Sequence, residues 1–263
     1  MKNWRKKTLS GFSWFMLFFL YLPIAILILY SFNESRINAV WSGFTWKWYA
    51  SLFENRQVQE ALFNSLTIGL ASSVLATVLG TAASIAIKHY SQRWQNIING
   101  LIYLPIVIPE IMMGLALLVL FSQLQMELGK ATLIMAHTTF SIPFVMVIIS
   151  ARLADMGKEL EEAAQDLGAT AWNTMRYVTL PLISPGIVAS FLMAFTLSLD
   201  DFIISFFVAG PNSTTLPLYI YGLVKRGVSP EVNALSALLI ASTVILVIVA
   251  EILRRKDSKT VID

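Results

Sequence analysis

The chain has 263 residues, of which 56% are hydrophobic and 13% charged, with no cysteine, and its mean hydropathy is +0.68. A soluble domain carries about 25% charged residues, so a soluble globular fold is excluded and the lipid bilayer is the solvent. The absence of cysteine excludes disulfides, thiolate metal sites and cysteine nucleophiles. The net charge of +3 comes from basic residues at the ends of apolar runs, which excludes a basic nucleic-acid-binding face.

A membrane-crossing helix needs roughly 20 apolar residues. Six runs qualify, at 11–32, 61–87, 97–121, 131–151, 185–208 and 233–253. The first follows Lys2, Arg5, Lys6 and Lys7, as a signal peptide would. It is too long for an h-region and ends in "SFNES" without a small-residue cleavage site, so it reads as a retained first helix. The next segment holds Trp41, Trp46, Trp48 and Tyr49 in "WSGFTWKWY". Amphipathic aromatics of this kind suit the membrane–water interface. The third run contains Pro105 and Pro109, which predict a kinked or broken helix. Glu110 follows directly, either lining a cavity at the break or capping the second half of the helix. Met112 and Met113 read as core packing. In the fourth run, His137 is either a proton relay or a histidine bonded to a neighbouring helix.

Segment 152–184 is too long for a simple connector. Leu160, Ala163, Ala164 and Leu167 recur at i, i+3, i+4 and i+7, giving one apolar stripe. Glu159, Glu161 and Glu162 suit the start of that helix. Gly168 is a stop signal, Thr170 is a cap for a second short helix, and Pro181 and Pro185 are expected to turn the chain into the next span. A stripe of small residues suits either insertion into a groove on another protein or folding back onto the bundle.

The fifth run reads "FTLSLDDFIISFFVAG" and carries Asp200 and Asp201. A carboxylate at the bilayer centre costs about 2.5–3.5 kcal/mol. No lysine or arginine lies deep in any run, so these carboxylates are expected to lack a basic partner and to take up a proton or a cation. That cation is a candidate cargo. Ser190, Ala194, Ser198, Asp201 and Ser205 share one helical stripe, which lines a water-filled path or packs against another helix. Asp200 points about 100° away. Tyr219 and Tyr221 in "YIYG" are either interface anchors or an aromatic lid over a cationic amine. The candidate substrate-path residues are thus Asp201, Asp200, Glu110, Ser198, Ser205, Tyr219 and Tyr221. Glu251 is expected to pair with Arg254 and Arg255 at the end of the last run.

An even number of crossings puts both termini on one side. Of the 19 lysines and arginines, 13 lie in segments 1–10, 88–96, 152–184 and 254–263. The positive-inside rule therefore makes both termini cytoplasmic. The expected fold is an all-α membrane protein of six transmembrane helices, with coupling-type helices at 152–184. No Gly-x-x-x-x-Gly-Lys-Ser/Thr loop is present, and no Ser/His/Asp or metal-ligand spacing occurs. The expectation is a transport subunit, not an enzyme, with no cofactor or metal in this chain.

"EEAAQDLGATAWNTMRYVTLP" resembles the EAA loop of ABC-importer permeases, the membrane subunits of binding-protein-dependent uptake systems. Glu162, Ala163, Ala164, Gly168, Leu180 and Pro181 match the motif in register, and Val178 stands where isoleucine is usual. The resemblance implies that this element, with Asp166 and Leu167 inside it, docks into a cleft on an ATPase subunit. "AFTLSLDDFIISFFVAGP", "VKRGVSPEVNALS", "YSFNES" and "GFTWKWY" are similar to the spermidine/putrescine branch. The resemblance further implies one permease domain over 1–263 that forms half of a polyamine path in a bacterial inner membrane. The implied partners are a second homologous permease subunit, two ATPase subunits that bind ATP, and an extracytoplasmic solute-binding protein. Two alternatives stay open: a permease for another solute, such as iron or thiamine, and an ion-coupled secondary transporter. Against the latter stand the lack of an evident inverted repeat and the long coupling-type loop.

Overall fold

The computed structural model describes residues 2–35, 40–88, 90–157, 159–227 and 229–259. These residues are helical with short connections, and their only strand-like pairing is an isolated bridge between Asn33 and Phe44. The chain divides into two compact units, Met1–Gln59 with Tyr219–Ile245, and Glu60–Leu218 with Leu246–Asp263.

The first unit begins with α1 (Lys2–Tyr30). Its apolar stretch Leu9–Tyr30 has no buried residue, as expected for a helix apolar on every face and surrounded by lipid or partner. The chain then turns at Asn33, which is fully buried. Its side-chain amide donates to Val40 O at 2.9 Å and its Oδ1 accepts from Ser42 N at 3.0 Å. Trp48 Nε1 donates to Asn33 O at 2.7 Å. Trp48 is therefore a core residue, contrary to the interface role expected from its neighbours. Trp46 stays 61% exposed and meets Phe32 edge-to-face and Tyr49 at a tilt. The unit is completed by α2 (Lys47–Glu54), most of α11 (Leu216–Arg226) and the first half of α12 (Pro230–Lys259). Asn55 reaches Glu231 on α12 at 3.4 Å. The side chains of Glu251, Arg254 and Arg255 lie outside the described residues.

The second unit holds most of α3 (Arg56–Lys88), then α4 (Gln92–Val107), α5 (Glu110–Gln123) and α6 (Lys130–Asp155). The short α7 (Glu159–Asp166) and α8 (Ala171–Thr174) lead to α9 (Leu180–Asp200) and α10 (Ile203–Val208). Small residues set its packing. A Cβ on Gly80 would strike Val145, and one on Gly186 would strike Arg152, so α6 seats closely on both α3 and α9. Ala76, Val145, Ile149, Ile183 and Ala194 form one apolar cluster. Ile68, Phe121, Leu133, Phe140, Ile204 and Val208 form another nearer α10.

Two helices in this unit, α3 and α6, match the predicted spans 61–87 and 131–151 closely. The run at 97–121 is broken as its prolines require: α4 and α5 meet at a bend of 100°. Among the described residues, four helices are long and apolar enough to cross a membrane, or five if the bent pair counts as one span. Residues Pro230–Ile245 form a shorter apolar helix. Two expectations are corrected. The run at 185–208 is not one helix, because α9 ends at Asp200. Pro181 and Pro185 do not turn the chain, because Ala171–Asp200 is one continuous helical stretch of 30 residues. A π turn over Met175–Thr179 precedes Pro181, with Leu180 N bonding Met175 O, and both prolines lie within α9. The wider turn removes the demand for the amide hydrogen that Pro181 lacks.

Candidate functional site

The break after α9 occurs without proline or glycine in "LSLDDFIIS". Asp201 produces it. Its backbone is extended, with φ −66° and ψ 121°, and its carboxylate caps the next helix. Oδ1 accepts from Ile204 N at 3.2 Å, and Oδ2 accepts from Ser205 N and Ser205 Oγ, each at 2.8 Å. His137 Nε2, from α6, approaches Oδ2 at 3.2 Å.

This arrangement corrects the expectation that both aspartates lack a partner in the chain. Asp201 is 7% exposed and His137 1% exposed, and they are paired. The other ring nitrogen, Nδ1, lies 2.6 Å from Ser198 Oγ. Ser72 Oγ on α3 donates to Ser198 Oγ at 3.2 Å. His137 Nε2 also lies 3.1 Å from Ser205 Oγ, so Ser72, Ser198, His137, Ser205 and Asp201 form one connected polar cluster. His137 is thus bonded to a neighbouring helix, the second of its two sequence readings. The stripe Ser190, Ala194, Ser198, Asp201 and Ser205 is buried throughout, so in this structure it is a packing seam.

Asp200 faces the other way and is exposed, as is Glu110 at the start of α5. Gly114 brings α5 against α10, where a Cβ would strike Phe207. The bend before Glu110 and the break at Asp201 are thereby adjacent, and Glu110 lies within electrostatic range of Asp201 and Asp200. Glu110 and the Asp200–Asp201 pair, far apart in sequence, share one region where two helices are interrupted. Tyr219 and Tyr221 belong to the first unit; Tyr219 is half-buried, and Tyr221 is exposed with Lys225 Nζ 4.7 Å from its ring centre.

A second polar cluster sits at the coupling-type element. Gly168 adopts φ +88°, and Ala169 N bonds Ala164 O at 3.0 Å while Gly168 N bonds Gln165 O at 2.8 Å. This pair of bonds closes α7 as sequence predicts. Thr170 caps α8 by accepting from Asn173 N at 3.3 Å. Glu162, Ala163, Asp166 and Leu167 are exposed, Leu167 at 90%. Ala164 and Leu180 are half-buried, and Pro181 is exposed. Sequence reasoning missed the residue that holds this element in place. Glu161 Oε2 accepts from Lys88 Nζ at 2.8 Å, and its Oε1 accepts from Thr179 Oγ1 at 2.9 Å. The available signal was a lysine that ends a long apolar helix and therefore needs a partner.

Residues 76–256 match the family of binding-protein-dependent transport system inner membrane components, and the chain belongs to that family. It is a permease of the ABC-importer type in the inner membrane. It is 41% identical over 250 residues to the spermidine/putrescine transport system permease protein PotC of Escherichia coli, covering 95% of each chain. It is 39% identical over 248 residues to the putrescine transport system permease protein PotI of the same species, covering 92% of this chain and 88% of the relative. A chain of a bacterial alginate ABC transporter, solved in complex with an alginate pentasaccharide-bound periplasmic protein, superposes with a TM-score of 0.74 at 20% identity. That match covers 98% of this chain and 96% of the other and shows the shared fold.

Proposed function

We propose that this chain is one of two permease subunits of an ATP-driven polyamine importer. The observation that carries the reading is the close packing of α5 on α10 at Gly114 and Phe207, which brings Glu110, Asp200 and Asp201 into one region where two helices are interrupted. The runs that hold them contain no lysine or arginine. A local negative field in low dielectric attracts a multivalent amine and opposes anions. Similarity to two polyamine permeases over nearly the whole chain supports the same cargo. Ser198 and Ser205 back this region, and Tyr219 and Tyr221, in the other unit, are aromatic residues of a kind that suits a cationic amine.

The whole chain acts as one permease domain with six crossings and both termini in the cytoplasm. The charge bias supports this orientation, and the four long helices, the bent pair and Pro230–Ile245 supply the crossings. The face bearing Glu162, Ala163, Asp166, Leu167 and Gly168 then lies in the cytoplasm. There it docks on one of two ATPase subunits that bind ATP, with Ala164, Leu180 and Pro181 completing the element. A solute-binding protein delivers cargo from outside.

The test is reconstitution with its ATPase and binding protein in liposomes. Spermidine-loaded binding protein is expected to stimulate ATP hydrolysis and spermidine uptake together. Stimulation by a different solute, with none by polyamines, would refute the cargo assignment.

A further inference from the structure

Two adjacent aspartates in one apolar run have opposite surroundings. Asp201 is buried, receives three hydrogen bonds from the start of α10, and has His137 at 3.2 Å. Asp200 is exposed. The hydroxyl chain through Ser198 reaches back to Ser72, so α3, α6, α9 and α10 converge on this one pair. A carboxylate buried and bonded in this way is not open to cargo without dismantling the helix break.

We propose that His137 is a positioning residue. By holding Asp201 inside the bundle it fixes the break after α9 and turns Asp200 outward as the aspartate that meets cargo. The latch itself stands on geometry alone, while the role of Asp200 rests on the polyamine reading. His137 never touches cargo on this account. Its effect reaches cargo only through the direction in which the break presents Asp200.

The experiment uses the reconstituted complex, with spermidine as the probe over a range of concentrations. Asp200→Asn is expected to raise the half-saturating concentration roughly tenfold or more, the worth of a charge-assisted hydrogen bond. Asp201→Asn keeps an acceptor for Ile204 N and Ser205 N. It loses the charge facing His137, so it is expected to lower the melting temperature and to raise half-saturation less than Asp200→Asn does, as His137→Gln does. His137→Gln is expected to raise half-saturation, and to raise it no further when Asp200→Asn is already present. A half-saturation change in Asp201→Asn as large as that in Asp200→Asn would overturn the proposal. So would an unchanged spermidine dependence in His137→Gln.

A second measurement needs no cargo. Melting temperatures of the purified complex are compared for His137→Gln, Asp201→Asn and the double variant. Shifts clearly smaller in combination than their sum support the latch, and additive shifts refute it. If spermidine is not the cargo, uptake fails in the unmodified complex while this measurement still decides whether the latch exists.

Discussion

Glu161 bridges the coupling-type helix to two membrane helices with a single carboxylate, and its removal has a calculable effect. One oxygen meets Lys88 at the end of α3 and the other meets Thr179 in the π turn below α9. The side chains of Lys88 and Glu161 are each 18% exposed. A hydrogen bond to a charged group contributes about 1.5–3 kcal/mol when shielded, whereas exposed ion pairs contribute about 0.2–1 kcal/mol. Partial shielding places this pair near 1–1.5 kcal/mol, about five- to tenfold in an equilibrium constant. Glu161→Gln keeps an oxygen for Thr179 and loses the charge facing Lys88. The expected result is normal assembly with more ATP hydrolysed per solute imported, since α7 then moves with less of the membrane bundle attached. The exchange Lys88→Glu with Glu161→Lys restores opposite charges, and the Thr179 hydroxyl can accept as well as donate. It should recover most of the coupling ratio, measured as phosphate released against solute accumulated in liposomes. A double exchange no better than the worse single variant would refute the reasoning.

Two glycines should respond for opposite reasons. A Cβ on Gly210 would run into the Leu128 carbonyl and Gly129 N, all backbone, so Gly210→Ala should cost roughly 2–3 kcal/mol and lower the melting temperature of the purified complex. Gly168 has no atom within 4 Å of such a Cβ but sits at φ +88°, so Gly168→Ala should cost only about 1 kcal/mol of local backbone strain. The larger Gly168→Trp should leave the bundle folded yet separate ATP hydrolysis from uptake, and retained coupling would remove this face from the docking surface. For topology, a cysteine replacing Trp46 should react with an impermeant thiol reagent added to intact cells, whereas one replacing Asp166 should not. The reverse pattern inverts the proposed orientation.

Local chemistry was the legible part of the sequence. The break at Pro109, the glycine stop at Gly168 and the Thr170 cap depend on residues within one or two turns of each other, and all three occur. Contacts across the bundle were not legible. His137 and Asp201 are far apart in sequence, and a search for a basic partner among lysines and arginines passes over a histidine. The break at Asp200–Phe202 carries no proline or glycine signal, because a side-chain cap made possible by the fold replaces it. Trp48 shows the same limit: an aromatic-rich loop predicts an interface, yet Asn33 folds the loop around this one indole. Conversely, proline signals at 181 and 185 overstate the break, since one widened turn lets the helix continue.

The uninterrupted stretch from Ala171 to Asp200 has a mechanical consequence. Thirty residues at 1.5 Å rise make a rod about 45 Å long. It is tied to α7 at Thr179, through Glu161, and its head ends at the break where Asp200 projects. A pivot of about 5° at Thr179, about 32 Å from the head, would carry the head sideways by about 3 Å, about a hydrogen-bond length. Leverage of this kind lets a small rocking at one end of the molecule make or break contacts at the other without any helix changing its internal structure.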